Sequence, residues 1–286
     1  MDVAALSEEA LNSNFMPRIA VPDYESWLGE DLRQSSQVRA ELAQSGAQFD
    51  RRYGQGPRQL IDLIPARTDR APILVWVHGG YWRALSKEHY TNIAPPLIAA
   101  GAAVALVGYD LCPTVTLSAL LAQTRDALRW VRANAAELNG DRDRIILAGN
   151  SAGAHICAMA LQHDWSGEEF DAGSLRAAAL ITGIYDLSPV PSLPVQAEVR
   201  LGAEDVQSLS PLKLPILHQA KCLVAVGAEE PPLWIDQSSR YHEKLRRADV
   251  ESNFMLVPGR HHFSITRDLT DAQSPLAHAV ADLLQS

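Results

Sequence analysis

Positive charge is in short supply in this chain: 25 lysines and arginines stand against 34 aspartates and glutamates, a formal net charge of −9 over 286 residues. Nucleic acids and anionic membrane surfaces recruit proteins through clustered cations, so neither is an expected partner. The densest basic run, Lys244 to Arg247, has the look of a solvated helix face. Cysteine is scarce too. Cys112, Cys157 and Cys222 are odd in number, far apart and set among apolar neighbours. That argues against a disulfide framework or a zinc site and for buried thiols in a reducing compartment. No window approaches the apolar length of a membrane span, and the opening MDVAALSEEALNSNF lacks the basic flank and apolar stretch of a secretory signal. A cytoplasmic location is therefore the expectation. Also missing are an HExxH pair for metal, and a GxGxxG or Walker lysine for phosphate.

What is present is ordinary globular material, 47% hydrophobic and 21% charged, enough for one large core. Short apolar runs recur, each followed by turn residues and a helical pattern, which is the alternation of a mostly parallel sheet flanked by helices. The seven runs are 60–64, 73–77, 103–107, 145–148, 177–181, 222–226 and 254–257. Between the third and fourth, Leu117, Leu120, Leu121, Leu128 and Val131 form one helical stripe, with Thr116 as N-cap and Gly140 just past the end. Ser274 and Pro275 open a last helix that buries Leu276, Val280 and Leu283 and closes the far edge of the sheet. Residues 1–57 and the proline-rich stretch 185–217 do not fit the alternation. They are read as a helical cap on one α/β domain spanning 1–286.

The chemistry-bearing feature is GNSAG, Gly149 to Gly153, placed between the strand RIILA and the helical AHICAMAL. A nucleophilic serine needs a sharp, strained strand-to-helix turn whose flanking positions are too crowded for side chains, and a GxSxG spacing supplies it. Ser151 would project above the sheet, with the N–H of Ala152 free to bind a developing oxyanion. Serine also needs a base. The late loop GRHHFSI offers His261 or His262, and position alone does not choose between them. The orienting carboxylate should follow CLVAVG, where Glu229, Glu230 and Asp236 are candidates, with Asp186 a fourth. Asp236 doubles as an acid at the start of the next helix and Asp186 as a turn acid.

A second feature is VWVHGGYW, Val75 to Trp82. The apolar run is a buried strand, and HGG is the loop leaving its C-terminal end, where ligands bind in open α/β sheets. Without Cβ atoms, Gly79 and Gly80 can let backbone N–H groups, those of Gly80 and Tyr81, approach a substrate oxygen. His78 braces this loop.

Ser151, the late histidine pair and HGGYW together resemble the α/β-hydrolase superfamily, and within it the kynurenine formamidase group with its bacterial esterase relatives. VHGGYWRALSKE, YDLCP at Tyr109 to Pro113 and HHF carry the similarity over about two thirds of the chain. The resemblance implies Ser151 as nucleophile, His262 as base and Glu230 as acid, with Gly79, Gly80, Tyr81 and Ala152 around the oxyanion. It implies a substrate site that includes Tyr81, Trp82, Tyr109, Asn150 and Trp234. Two departures stand out: Glu230 where members carry aspartate, and Asn150 where many have histidine before the serine. The implied activity is hydrolysis of a small acyl amide or ester through an acyl-serine, foremost an N-formylkynurenine-type formamide, with no cofactor and no metal. A short-chain carboxylesterase or other small amidase is the alternative, and an inactive binding module is a second. The expected partner is the small-molecule substrate, with a homodimer left open.

Overall fold

The computed structural model describes residues 6–286, so the first five positions of the N-terminal arm lie outside the described residues. Eight strands form one sheet: β1 (Gln48–Arg52), β2 (Leu60–Ile64), β3 (Ala71–Val77), β4 (Ala103–Val107), β5 (Gly140–Asn150), β6 (Leu175–Ile181), β7 (Lys221–Gly227) and β8 (Ser252–Val257). Their spatial order is β1-β2-β4-β3-β5-β6-β7-β8. The β1–β2 and β2–β4 pairs are antiparallel and every later pair is parallel. All seven apolar runs are strands. β1 was not expected, because QFDRR is a half-exposed edge with no apolar run, and its charged side chains protect that edge from further pairing.

Alternation along each strand divides the core into two layers. On β3, Ile73, Val75 and Val77 face one layer, while Leu74 and Trp76 face the other. The first layer is covered by α5 (Leu117–Ala133) and α6 (Ala152–Leu161). On α5, Thr116 caps the helix as expected, its side chain accepting from Ala119 N–H. Gly140, however, opens β5. The chain leaves α5 through a short 3-10 turn whose left-handed end residue is Asn139, φ 53°. The second layer is covered by α4 (Ala94–Ala99) and α10 (Pro275–Leu283). Ser274 caps α10, and Leu276, Val280 and Leu283 are buried as expected. The helix lies across the face over β6 and β7, and β8 is the far edge, because its apolar stripe needs a sheet face to cover it.

The two irregular regions pack over the C-terminal ends of the strands. The N-terminal arm forms α1 (Glu8–Phe15), α2 (Pro17–Ala20) and α3 (Tyr24–Leu42). Buried charges fix α3 and β1 to the sheet: Arg39 pairs with Asp62, and Lys87 Nζ lies 2.8 Å from Asp62 and 2.6 Å from Asp50. The 185–217 stretch is more helical than its prolines suggest, containing α7 (Gln196–Val199) and α8 (Ala203–Ser208). Leu187, Val190, Leu193, Val195 and Val199 sink into the first core layer, which holds these short turns in place. The three cysteines are buried and unpaired. Among the described residues, no helix is long and apolar enough to cross a membrane.

Candidate active site

The parallel strands end in register, with Val77 beside Gly149, Asn150 beside Ile181 and Gly227 beside Val257. Whatever follows these strands therefore gathers along one edge. Ser151 sits at the β5–α6 turn with φ 55° and ψ −120°, conformational strain held by the surrounding packing. Its backbone N–H donates to the Ile181 carbonyl at 2.9 Å. The flanking glycines are required. A Cβ on Gly149 would lie 2.7 Å from the Val77 carbonyl oxygen, and one on Gly153 would overlap the same oxygen.

Beyond β8, the loop places His262 against this serine. Ser151 Oγ lies 3.1 Å from His262 Nε2, and His262 Nδ1 lies 2.7 Å from Glu230 Oε2. One tautomer satisfies both contacts: Nδ1–H donates to the carboxylate, leaving Nε2 to accept from the hydroxyl. All three residues are buried. The other candidates stand apart. His261 packs its ring edge-on to Trp27, and Glu229 is exposed. Asp236 lies a full turn inside α9 (Pro232–Arg247), 3.6 Å from Arg240. Asp186 accepts from the N–H and hydroxyl of Ser188 in a turn.

Sequence reasoning missed Thr182, the residue directly after β6. Its Oγ1 lies 2.5 and 2.6 Å from the two Glu230 carboxylate oxygens, and it accepts from Trp234 Nε1 at 3.0 Å. Gly227 N–H adds a donor to Glu230 Oε1 at 3.0 Å. Thr182 has φ 46°, an unusual conformation for a β-branched residue that directs its hydroxyl at the carboxylate. A positive φ is not written in a sequence, and ITG offers no other signal.

The loop after β3 is also wound left-handed, with φ 115° at Gly80, 53° at Tyr81 and 59° at Trp82. A Cβ on Gly80 would overlap the Ala84 carbonyl, so this loop requires glycine there. Gly79 N–H donates to Asn150 Oδ1 at 3.1 Å and is engaged there. Gly80, Tyr81 and Ala152 remain as candidate donors. His78 stacks on Tyr109 with centroids 4.1 Å apart, and burial holds its pKa down to about 3, so it is a neutral brace.

A cavity opens over Ser151, walled by Tyr81, Tyr90, Asn150, Val195 and Phe263 and by Met16 and Leu28 of the N-terminal arm. Of the residues expected at a substrate site, Tyr81 and Asn150 line this cavity, and Trp82, Tyr109 and Trp234 lie outside its lining. Their polar atoms are drawn inward instead. Trp82 Nε1 donates to His155 Nδ1 at 3.1 Å, Tyr109 Oη donates to the His78 carbonyl at 2.6 Å, and Trp234 serves Thr182. Phe263 follows His262 in the late loop, while Tyr90 and Val195 reach the cavity only through the tertiary fold.

A serine on a strained strand-to-helix turn, facing an imidazole and a carboxylate from later loops of a mostly parallel sheet, defines the class: a serine hydrolase with the α/β-hydrolase fold. The BD-FAE family matches residues 61–239, and the chain belongs to that family. A relative named kynurenine formamidase, from Danio rerio, is 31% identical over 91% of this chain and 88% of its own length. Esterase LipQ of Mycobacterium tuberculosis is 28% identical over 81% of this chain and 60% of its own. Among solved structures, a provisionally assigned thioesterase from Silicibacter sp. superposes with a TM-score of 0.82 at 27% identity, covering 95% of this chain and 97% of the other.

Proposed function

We propose that the chain cleaves a small acyl group from an aryl amide, with a formamide of the N-formylkynurenine type as the favoured substrate. The observation that carries this reading is the continuous contact from Ser151 Oγ through His262 to Glu230, at 3.1 and 2.7 Å, opening into a small cavity. His262 Nε2 takes the serine proton as Oγ attacks the acyl carbon, and Glu230 stabilises the imidazolium that forms. The N–H groups of Gly80, Tyr81 and Ala152 take up the oxyanion. The amine leaves with the proton from His262, and water attacks the acyl-serine by the same route in reverse.

The amide preference draws support from the relative named kynurenine formamidase. The esterase relative favours the second reading, a short-chain carboxylesterase using the same residues. Comparing kcat/KM on N-formylkynurenine and on 4-nitrophenyl acetate decides between them. Efficient turnover of the formamide supports the first reading, and turnover of esters alone overturns it.

A further inference from the structure

The cavity over Ser151 carries charges that acyl transfer does not use. Arg18 of α2 and Arg83, two residues beyond Tyr81, both line it. In a chain with a net charge of −9, two guanidiniums at one cavity run against the prevailing sign. The acid that lines the same space, Asp31, already accepts from Arg267 Nε at 2.7 Å, so its charge is matched. Arg18 has no carboxylate within ion-pair distance among the described residues, and its guanidinium is held by the Tyr24 ring, 5.0 Å from the centroid. Arg83 is anchored through Nη1 to Glu198 at 2.6 Å, yet its Nε is buried without an acceptor.

We infer that Arg18 and Arg83 form a carboxylate subsite, so that the substrate is an aryl amide or ester whose leaving group carries a carboxylate. The inference rests on the reading of this cavity as the site of acyl transfer. The planar guanidinium fork suits a carboxylate better than any neutral group, and Tyr81, Tyr90 and Phe263 line the same cavity and offer aromatic surface to an aryl ring. Arg83 belongs to the loop that bears the Gly80 and Tyr81 donors, while Arg18 comes from the N-terminal arm. A bound carboxylate would therefore tie that arm to the oxyanion loop.

The test uses two matched pairs on the intact protein: N-formylkynurenine with its α-carboxamide, and 3-(2-acetoxyphenyl)propanoate with its carboxamide. The carboxylate member is expected to be favoured by about tenfold or more in kcat/KM, through KM, in whichever pair is cleaved. Arg18→Gln and Arg83→Gln should each bring that ratio towards one. Glu198→Gln, which loosens the Arg83 anchor and keeps the guanidinium, should preserve it. A ratio near one in the native protein, or one unchanged in both arginine variants, overturns the subsite. Calorimetric binding of 3-phenylpropanoate against 3-phenylpropanamide reads the same contact without turnover, and equal or undetectable binding of the two also overturns it. Discrimination in the ester pair with neither amide cleaved leaves the subsite standing and removes the formamidase reading. Equal cleavage of both amides does the reverse.

Discussion

The hydroxyl of Thr182 lies 2.5 and 2.6 Å from the two carboxylate oxygens of Glu230, and its single proton can serve only one of them at a time. With Trp234 Nε1 donating to it at 3.0 Å, this hydroxyl passes a donor on to Glu230, which accepts from His262 Nδ1–H on its other side. A glutamate has one more rotatable bond than an aspartate. Thr182 and the Gly227 N–H remove that freedom.

Thr182→Val keeps the shape and deletes the donor. It should lower kcat/KM by about tenfold, since a hydrogen bond to a charged group contributes roughly 1.5–3 kcal/mol. Thr182→Ser, which keeps the donor, should restore it. An unchanged kcat/KM in the valine variant would assign Thr182 to packing alone.

Glu230→Gln should cost on the order of 10²-fold or more in turnover, whereas Asp236→Asn, half-exposed and paired with Arg240, should change little. His262→Ala should abolish turnover and His261→Ala should not. Steady-state kinetics on a nitrophenyl ester reads all four, and the opposite ranking in either pair would misplace that member.

The strand-to-helix turn tolerates no side chain at its flanks. Gly153→Ala brings a Cβ into the Val77 carbonyl and should destabilise the fold by about 2 kcal/mol or more, as steric strain at a special backbone position does. Gly167→Ala, also a glycine substitution but with open space around its Cβ position, isolates the steric part: its penalty comes from φ 80° alone and should be smaller. Denaturant unfolding measures both.

Two buried histidines set a pH dependence of stability. Burial holds His78 down to about 3 and His155 to about 4, against 6.5 in the unfolded chain. As pH falls below 6.5 the unfolded state takes up these protons first, so stability present above pH 6.5 is lost on acidification through that window. The slope of unfolding free energy with pH near 5 should be shallower by about one proton in His155→Gln. An identical slope would contradict the assignment of His155 as neutral.

Much of this was legible in the sequence because it is local. Seven apolar runs announced seven strands, and GNSAG needed only its own glycines and its neighbours to identify the turn. The choice of His262 over His261 and of Glu230 over Asp236 was carried by resemblance; in the structure, the loop geometry alone brings that pair to the serine. The β1 edge strand stayed hidden because a polar hairpin partner has no hydrophobic period. That Trp82, Tyr109 and Trp234 turn their polar atoms inward was not legible, because an aromatic beside a functional motif looks the same in sequence whether its polar atom points out or in. Arg18 and Val195 reach the cavity from segments about 130 residues before and 40 residues beyond Ser151, a juxtaposition no spacing rule encodes.

The central claim is that Ser151, activated by His262 and Glu230, is the group acylated during turnover. Incubation with a fluorophosphonate followed by peptide mapping tests it most directly. One label per chain is expected, on the peptide bearing Ser151, absent in Ser151→Ala and strongly slowed in His262→Ala. A label of equal speed in Ser151→Ala, or none in the native protein, would contradict it.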